Sequence, residues 1–471
     1  MRDAIRGTLG HDRLKHTIGP VTRFHHRRSG RRFLFATTKH QSKERRIFES
    51  EHDIANAARV EPLIRICCLG NALVHSRLKS VKSLRHHSIE QSLFVSEMMV
   101  LETIKQIRAG DAQGWFRAWS DRGDRVARLA AATTDRIAKG RALLRAHNYY
   151  RTAEFFLPPD DAKRPMSATK NIQSFYAGLD TLGVVYQRIK VPYGEGHHLE
   201  AVYYPAAEAG PRRPLIVLGG GYDSTIEELY FVLVKDAHEH GYAVLTYDGP
   251  GQGSMLRDQG LKFTHEWEKP VKAVIDTFLA DHPRPHTMVL VGMSLGGYLA
   301  ARAAAFEERL DGVVVYDVWF DWGATGLRYV PAGAFWLRDH GFGVVVEMVA
   351  RVKAALSPDF AWASNNGKWT LGTVHPLDTI TEMQKFTLAG VAKRIKGDVL
   401  ILAGTEDHFV PFDQVATFEK ALTAARSVTT RIYDRASGGA EHCQLGAQTL
   451  WHADFFDWMS AKFDDAESAS Q

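Results

Sequence analysis

From about residue 184 onward, short apolar runs alternate with stretches of helical periodicity. Residues 215–218, 243–247, 288–291, 313–316, 399–402 and 430–433 are the strand candidates, and most are nearly unbroken in Val, Ile, Leu, Met and Ala. Such runs belong to strands covered on both faces. Their alternation with helices predicts a largely parallel sheet between two helical layers. Ahead of them, residues 184–191 and 199–204 read as two strands, and Pro192-Tyr193-Gly194-Glu195-Gly196 supplies turn residues for a hairpin. The alternation breaks between Tyr316 and Val399. The insertion there, about residues 318–396, carries Trp319, Trp322, Phe335, Trp336, Trp362 and Trp369. Lying beyond the C-terminal ends of the strands, it is expected to form part of a lid.

Residues 89–180 read as helical. Leu93, Phe94, Met98, Leu101, Ile104 and Ile107 recur at helical spacing. Trp115 and Trp119 stand four apart, and Val126, Leu129, Ile137 and Leu144 continue the apolar stripes. Tyr149, Tyr150, Phe155 and Phe156 close the segment before Pro158-Pro159, and core packing is the expected use of these aromatics. The chain thus divides into a basic extension at 1–88, expected to be poorly ordered, a helical domain at 89–180 and an α/β domain at 181–465.

Charge adds one feature. Much of the excess behind the net charge of +5 lies in the first segment, where Arg27, Arg28, Arg31, Arg32, Lys43, Arg45 and Arg46 accompany His25, His26, His86 and His87. Such an arm can hold nucleic acid or an anionic membrane. No nucleic-acid motif or aromatic–basic repeat follows it, so a solvated extension is expected and no nucleic-acid partner. Met98 and Met99 open the well-patterned region and offer an alternative translation start. Cys67 and Cys68 are adjacent, Cys443 is alone, and no metal-ligand spacing occurs, which argues against a disulfide framework and for a reducing interior. No apolar segment follows the N-terminal charges as a signal peptide would, and residues 66–74 are too short to span a bilayer. A cytoplasmic location is the expectation.

The chemistry concentrates at Val289-Leu290-Val291-Gly292-Met293-Ser294-Leu295-Gly296-Gly297-Tyr298. A buried strand ends in Gly-x-Ser-x-Gly and an Ala-rich helix follows, the pattern of a nucleophile elbow. Ser294 is the candidate nucleophile. A serine needs a base within hydrogen-bond reach, and the base needs a third group to orient it. The acid candidate is Asp407, in the loop after residues 399–402, with Glu406 beside it as a surface carboxylate and His408 as a polar loop residue. The base candidate is His442, in the Gly-rich loop Ser437-Gly438-Gly439-Ala440-Glu441-His442-Cys443 past the last strand. An oxyanion needs backbone N–H donors. Leu295, after the nucleophile, and Tyr222, in Gly219-Gly220-Gly221-Tyr222-Asp223-Ser224, are the candidates, with Gly221 next. Ser224 and Glu227 have capping-box spacing. Asp248, in Tyr247-Asp248-Gly249-Pro250-Gly251-Gln252-Gly253, is expected to be structural.

These residues resemble the α/β-hydrolase superfamily. Within it they are similar to a branch with a helical N-terminal domain, the 2,6-dihydropseudooxynicotine hydrolase-like enzymes, whose fungal relatives include the yellowish-green pigment hydrolases that shorten polyketide chains. The likeness rests on Gly220-Gly221-Tyr222-Asp223-Ser224-Thr225 with Glu227-Glu228, Asp248-Gly249-Pro250-Gly251-Gln252-Gly253, Gly292-Met293-Ser294-Leu295-Gly296-Gly297 and Glu441-His442-Cys443-Gln444, and runs from about residue 95 to 460. It implies an α/β-hydrolase fold with a helical cap. The implied activity is cofactor-free hydrolysis of a carbon–carbon bond next to a ketone, or of an ester-like bond, in a small molecule. Relatives often dimerise, so the resemblance leaves a homodimer open. It also implies an additional acid near the nucleophile, for which Asp317 and Asp321 are the nearest candidates.

The sequence therefore reads as a serine hydrolase of small aromatic or polyketide-like metabolites, with no cofactor, no metal and no membrane span. A general carboxylesterase or acyl-peptide hydrolase is the alternative within enzymes. A hydrolase fold used only for binding is the alternative outside them.

Overall fold

The computed structural model describes residues 97–464 apart from residue 109 and residues 207–213. The basic extension, Leu93, Phe94, Cys67 and Cys68 lie outside the described residues. Strands β1 (Gln187–Tyr193), β2 (His197–Tyr204), β3 (Leu215–Gly219), β4 (Ala243–Asp248), β5 (Met288–Met293), β6 (Gly312–Tyr316), β7 (Asp398–Gly404) and β8 (Ser427–Tyr433) form one sheet in the order β1-β2-β4-β3-β5-β6-β7-β8. β1 and β4 each pair antiparallel with β2, and the remaining pairings are parallel. The hairpin pairs closer to its turn than its sequence pattern predicts: β1 runs later than residues 184–191, and β2 begins at His197, ahead of Leu199. Strand pairing reaches Tyr193 opposite His197, and Pro192 is tolerated within β1 because β1 is an edge strand. The four strands β3, β5, β6 and β7 are buried along their whole length, as their unbroken apolar runs require.

Four helices precede the sheet: α1 (Glu97–Ile104), α2 (Ala112–Ala132), α3 (Arg136–Glu154) and α4 (Lys163–Leu182). Asp111 and Asp135 cap α2 and α3, their carboxylates accepting from the N–H groups of Gly114 and Ala138 at 2.7 Å each. Trp115, Trp119, Tyr149 and Phe156 form a buried aromatic cluster of their own. On the other side of the pair, Leu144, Phe175 and Leu179 pack into the same cluster as the sheet residues Ile216, Leu218, Val289 and Val314. Leu129 and Ile137, expected to continue the apolar stripe, are instead 55% and 47% exposed. They flank the α2–α3 connection, where the helix direction changes and the stripe turns outward.

Helices α5 (Lys235–Glu239), α6 (Gly253–Gln259), α7 (Glu268–Asp281) and α8 (Gly296–Ala304) link the central strands. The insertion between β6 and β7 carries α9 (Trp322–Leu327), α10 (Ala334–Leu337), α11 (Gly343–Leu356), α12 (Pro358–Leu371) and α13 (Pro376–Met383), and α14 (Asp413–Ala421) and α15 (Gln448–Met459) complete the chain. One face of the sheet packs on Val274, Leu299 and Phe418 of α7, α8 and α14. The other packs on Trp451 and Phe455 of α15 and on the N-terminal helices. Trp319 and Trp322 of the insertion belong to the first of these clusters, whereas Trp336 is exposed.

Leu144 is fully buried where the helical segment meets the sheet. Leu144→Ala is expected to destabilise by about 2–5 kcal/mol, and Leu129→Ala by less than about 0.5 kcal/mol. Urea unfolding of the two variants checks the contrast.

Candidate active site

β5 ends at Met293 and α8 begins at Gly296, so Ser294 and Leu295 make the whole connection. Ser294 has φ of 59°, a left-handed backbone that costs a non-glycine residue roughly 1–2 kcal/mol. Two backbone bonds hold it: Ser294 N–H donates to Tyr316 O, and Gly297 N–H donates to Ser294 O, both at 2.8 Å. A Cβ at Gly292 would lie 1.9 Å from Gly296 O, and one at Gly296 would lie 2.8 Å from Gly220 O. Both glycines of the pattern are therefore demanded by close backbone approach.

The turn aims the Ser294 hydroxyl at an imidazole that arrives from 148 residues later. His442 Nε2 is hydrogen-bonded to Ser294 Oγ at 2.8 Å, and His442 Nδ1 to Asp407 Oδ2 at 2.7 Å. Asp407 is fixed in turn, its Oδ1 accepting from the N–H groups of Phe409 and Val410 at 2.8 and 2.9 Å. The Phe409 ring stands edge-on to His442, with centroids 5.0 Å apart. All three candidates drawn from sequence thus meet in one unbroken hydrogen-bonded row.

A second carboxylate joins them. Asp317, the first residue past β6, has φ of 68° and lies almost wholly buried. Its Oδ2 is 3.0 Å from His442 Nδ1 and accepts from Cys443 N–H at 2.7 Å, while Oδ1 has no hydrogen-bond partner among the described residues. The Tyr316 hydroxyl donates to the Cys443 carbonyl, which pins the same loop to the end of β6. Of the two acids named from the resemblance, Asp317 is therefore at the imidazole. Asp321 caps α9, accepting from Ala324 N–H at 2.8 Å. Burial works against a charge on His442, but the neighbouring carboxylates, Asp407 ahead of Asp317, outweigh it and hold the imidazole pKa well above its ordinary value.

The Gly219–Tyr222 loop lies directly on the nucleophile turn. A Cβ at Gly221 would be 2.8 Å from Ser294 Cβ and 3.2 Å from Leu295 N. Gln252 braces this loop, its Nε2 donating to the carbonyls of Gly220 and Gly221 at 3.0 and 2.7 Å while its Oε1 accepts from Gly249 N–H. The Tyr222 ring stacks on Phe263 and meets Trp322 edge-on, and its hydroxyl is 2.6 Å from Thr370 Oγ1 on α12. Asn366, also on α12, donates to Asp223 Oδ1 at 2.9 Å, and burial pushes the Asp223 carboxyl up to about 6. The capping pair falls one residue later than its spacing predicts. Thr225 donates through both N–H and Oγ1 to Glu228, and Ser224 Oγ is buried without a partner among the described residues. Asp248, expected to be structural, accepts from Ile226 N–H at 3.1 Å.

Gln252, Asn366 and Thr370 escape a reading of the sequence. Gln252 lies in a quoted turn motif, but its amide spans to a loop 31 and 32 residues away. Asn366 and Thr370 stand one turn apart on a helix whose place over the site no local pattern declares. A cavity of about 260 Å³ lies between Trp115, Phe156 and Pro158 of the helical segment and Trp362 and Asn366 of α12. Ser294 does not line it; Asn366 is its link to Asp223. Asp317, His442 and Cys443 also bring possible metal-ligand atoms within 4.8 Å of one another. The donor set suits a metal poorly: His442 Nδ1 faces two carboxylates, Asp317 Oδ2 is engaged by Cys443 N–H, and burial pushes the Cys443 thiol up, away from thiolate.

Comparison with known proteins bears on this site. The alpha/beta hydrolase family matches residues 215–445, and the FrsA-like esterases match residues 88–318. The hydrolase LUC6 of Fusarium sp is 31% identical over 388 residues, covering 77% of this chain and 91% of that protein. The 20-hydroxy-prefusarin hydrolase FUS2 of Gibberella moniliformis is 31% identical over 387 residues with the same coverage. Among solved structures, the 2,6-dihydroxy-pseudo-oxynicotine hydrolase superposes with a TM-score of 0.59 at 19% identity, covering 78% of this chain and 93% of that one, a likeness of fold. The parallel sheet with its strand–Ser294–helix turn and the extent of these matches agree: the chain belongs to the α/β hydrolase family and is a hydrolase related to those of fungal secondary metabolism.

Proposed function

We propose that this hydrolase cleaves a carbon–carbon bond next to a ketone, or an ester bond, in a small aromatic or polyketide-like metabolite, with Ser294, His442 and Asp407 as its catalytic triad. The observation that carries the reading is the continuous row from Ser294 Oγ through His442 Nε2 and Nδ1 to Asp407 Oδ2, with contacts of 2.8 and 2.7 Å. In this reading Ser294 Oγ attacks the carbonyl carbon as its proton passes to His442 Nε2. The oxyanion is held by the N–H groups of Leu295 and Tyr222. Collapse breaks the bond to the leaving group, and His442 returns the proton to the departing carbon or alcohol oxygen. Water then attacks the acyl-serine, giving its proton to His442, and the acid product leaves with Ser294 restored.

The substrate class is supported by the surroundings. Tyr222, Phe263, Trp322 and Phe386 form a connected aromatic wall beside the nucleophile loop. Ser294 is 5% exposed, so the site around it is sheltered from bulk water. The insertion is the proposed lid, with the N-terminal helices as a cap against which Trp362 stacks on Phe155. The names of the fungal relatives, one of them a 20-hydroxy-prefusarin hydrolase, point the same way. The match to FrsA-like esterases favours an ester as the second reading of the scissile bond.

Asp317 is proposed as a second carboxylate orienting His442 and stabilising its charge, since its Oδ2 shares Nδ1 with Asp407.

Ser294→Ala is expected to lower turnover of p-nitrophenyl esters and β-diketones by about 10³-fold or more and to abolish fluorophosphonate labelling, with the circular dichroism spectrum unchanged. Retained turnover would remove the mechanism. His442 must be neutral to accept the Ser294 proton, so kcat/KM falls as pH drops through its raised pKa. Asp317→Asn takes away one negative charge beside Nδ1, lowers that pKa and moves the acidic limb to lower pH. A limb that stays in place in a pH–rate profile would remove Asp317 from the charge balance of the site.

A further inference from the structure

The helical segment and the insertion meet around the cavity of about 260 Å³, and its walls suit a flat ring. Phe156 stands edge-on to Trp115, with centroids 4.9 Å apart, and edge-on to Trp362 at 5.6 Å, so the three rings form a corner. Both indole N–H groups are engaged elsewhere: Trp115 Nε1 donates to Thr152 O at 2.7 Å and Trp362 Nε1 to Phe155 O at 3.2 Å. Pro158 and Pro358 complete the walls without a donor. The corner therefore offers ring faces and edges and little else. The two segments already touch beside it, since a Cβ at Gly110 would lie 2.9 Å from Pro358 Cγ. Small side chains at Ala112 and Ala361 leave the space between them open. Native packing rarely keeps a void larger than a water molecule, so an aromatic-lined recess of this size points to an occupant.

The rim chooses the occupant's polar end. Arg108 and Asn365 line it, both are exposed, and neither side chain has an ion pair or hydrogen bond among the described residues. Asp111 is also there, but its carboxylate caps α2 by accepting from Gly114 N–H at 2.7 Å and faces Arg117 at 3.7 Å. An apolar corner with an unpaired guanidinium and an unpaired amide at its edge fits a ring that bears a carboxylate. The inner wall is Trp362 and Asn366. Behind them lies a smaller polar cavity of about 50 Å³, lined by Arg151, Glu154, Tyr222 and Asp223, with room for water but not for a ring. Ser294, His442 and Asp407 line neither cavity.

We propose that this cavity is a binding site for an aromatic carboxylate, separate from the nucleophile, with the ring in the corner of Trp115, Phe156 and Trp362 and the carboxylate accepting from Arg108 and Asn365. Such an occupant bridges the helical segment and α12, the helix whose Asn366 and Thr370 hold Asp223 and Tyr222.

The probe is 2-naphthoate, with 2-naphthamide as its uncharged counterpart, and calorimetric titration of the full chain reads binding. The acid is expected to bind one to one and about fivefold more tightly than the amide, the gain of one exposed charge pair. Ala361→Trp, which fills the space from α12, is expected to weaken both at least about 10-fold with the circular dichroism spectrum kept. Arg108→Gln is expected to remove the preference for the acid and to leave the amide as it was. Binding is expected to stay within about twofold when Ser294 is blocked by a fluorophosphonate or replaced in Ser294→Ala. A chain that resists the fluorophosphonate would strike the serine mechanism alone, and Ser294→Ala then carries the comparison. The proposal is overturned by an acid that does not bind, by binding indifferent to Ala361→Trp, or by a preference that survives Arg108→Gln. It is overturned equally by a naphthoate that the fluorophosphonate displaces, which would put the ring at the nucleophile.

Discussion

The left-handed backbone of Ser294 is the constraint on which the rest of the site depends. A two-residue connection between a buried strand and a helix leaves no room for side chains at Gly292 or Gly296, and it lifts the intervening hydroxyl clear of the sheet. The strain of that conformation is held by backbone bonds to Tyr316 and Gly297. Tyr316 belongs to the next strand, so the position of the hydroxyl is tied to the register of β5 against β6. The same strand end delivers Asp317 in a second left-handed conformation, and Gly297 lies against its carbonyl. The proposed nucleophile and one carboxylate facing the imidazole are therefore set by adjoining turns of the same two strands.

The imidazole is held differently. His442 lies in a loop with little regular structure, and its neighbours Cys443 and Gln444 also have positive φ. What fixes this loop is a set of hydrogen bonds to the strand ends: Cys443 N–H to Asp317, the Tyr316 hydroxyl to Cys443 O, and Nδ1 to Asp407. A loop of this kind pairs its polar groups with the sheet it crosses, because buried backbone groups left unpaired are costly. The loop proposed to hold the oxyanion is fixed in the same way, by Gln252 and by Asn366 and Thr370 from one helix of the insertion. The insertion is thus coupled to the proposed chemistry through hydrogen bonds and not merely placed above it.

Local patterns in the sequence made the buried strands, the strand–Ser–helix turn and the strand-end loops carrying Asp407 and His442 legible, since each depends on residues close together in the chain. The strand candidates fell on the observed strands because runs such as Val313-Val314-Val315 can be satisfied only by burial on both faces. Errors arose where a property depends on a neighbour remote in sequence. Leu129 and Ile137 have the periodicity of a core stripe but lie where the helix pair turns away from its partners. Glu228 replaces Glu227 in the capping pair, and the first strand of the hairpin starts at Gln187 and not at residue 184, because tertiary packing decides which residues of a pattern pair. Asp321 and Asp317 were equivalent as nearby acids, and only the path of the chain after β6 separated a helix cap from a group touching the imidazole.

By itself, the sequence determined that this chain forms a parallel α/β sheet with a serine perched at a sharp strand-to-helix bend, because apolar runs and glycine spacing act over a few residues and leave few alternatives. Only the tertiary structure decided that two carboxylates converge on one imidazole nitrogen, that Gln252 and the insertion helix hold the Gly219–Asp223 loop, and that α11 turns its large apolar side chains to solvent. Those outcomes depend on distances between segments separated by up to 148 residues, and no local periodicity encodes them.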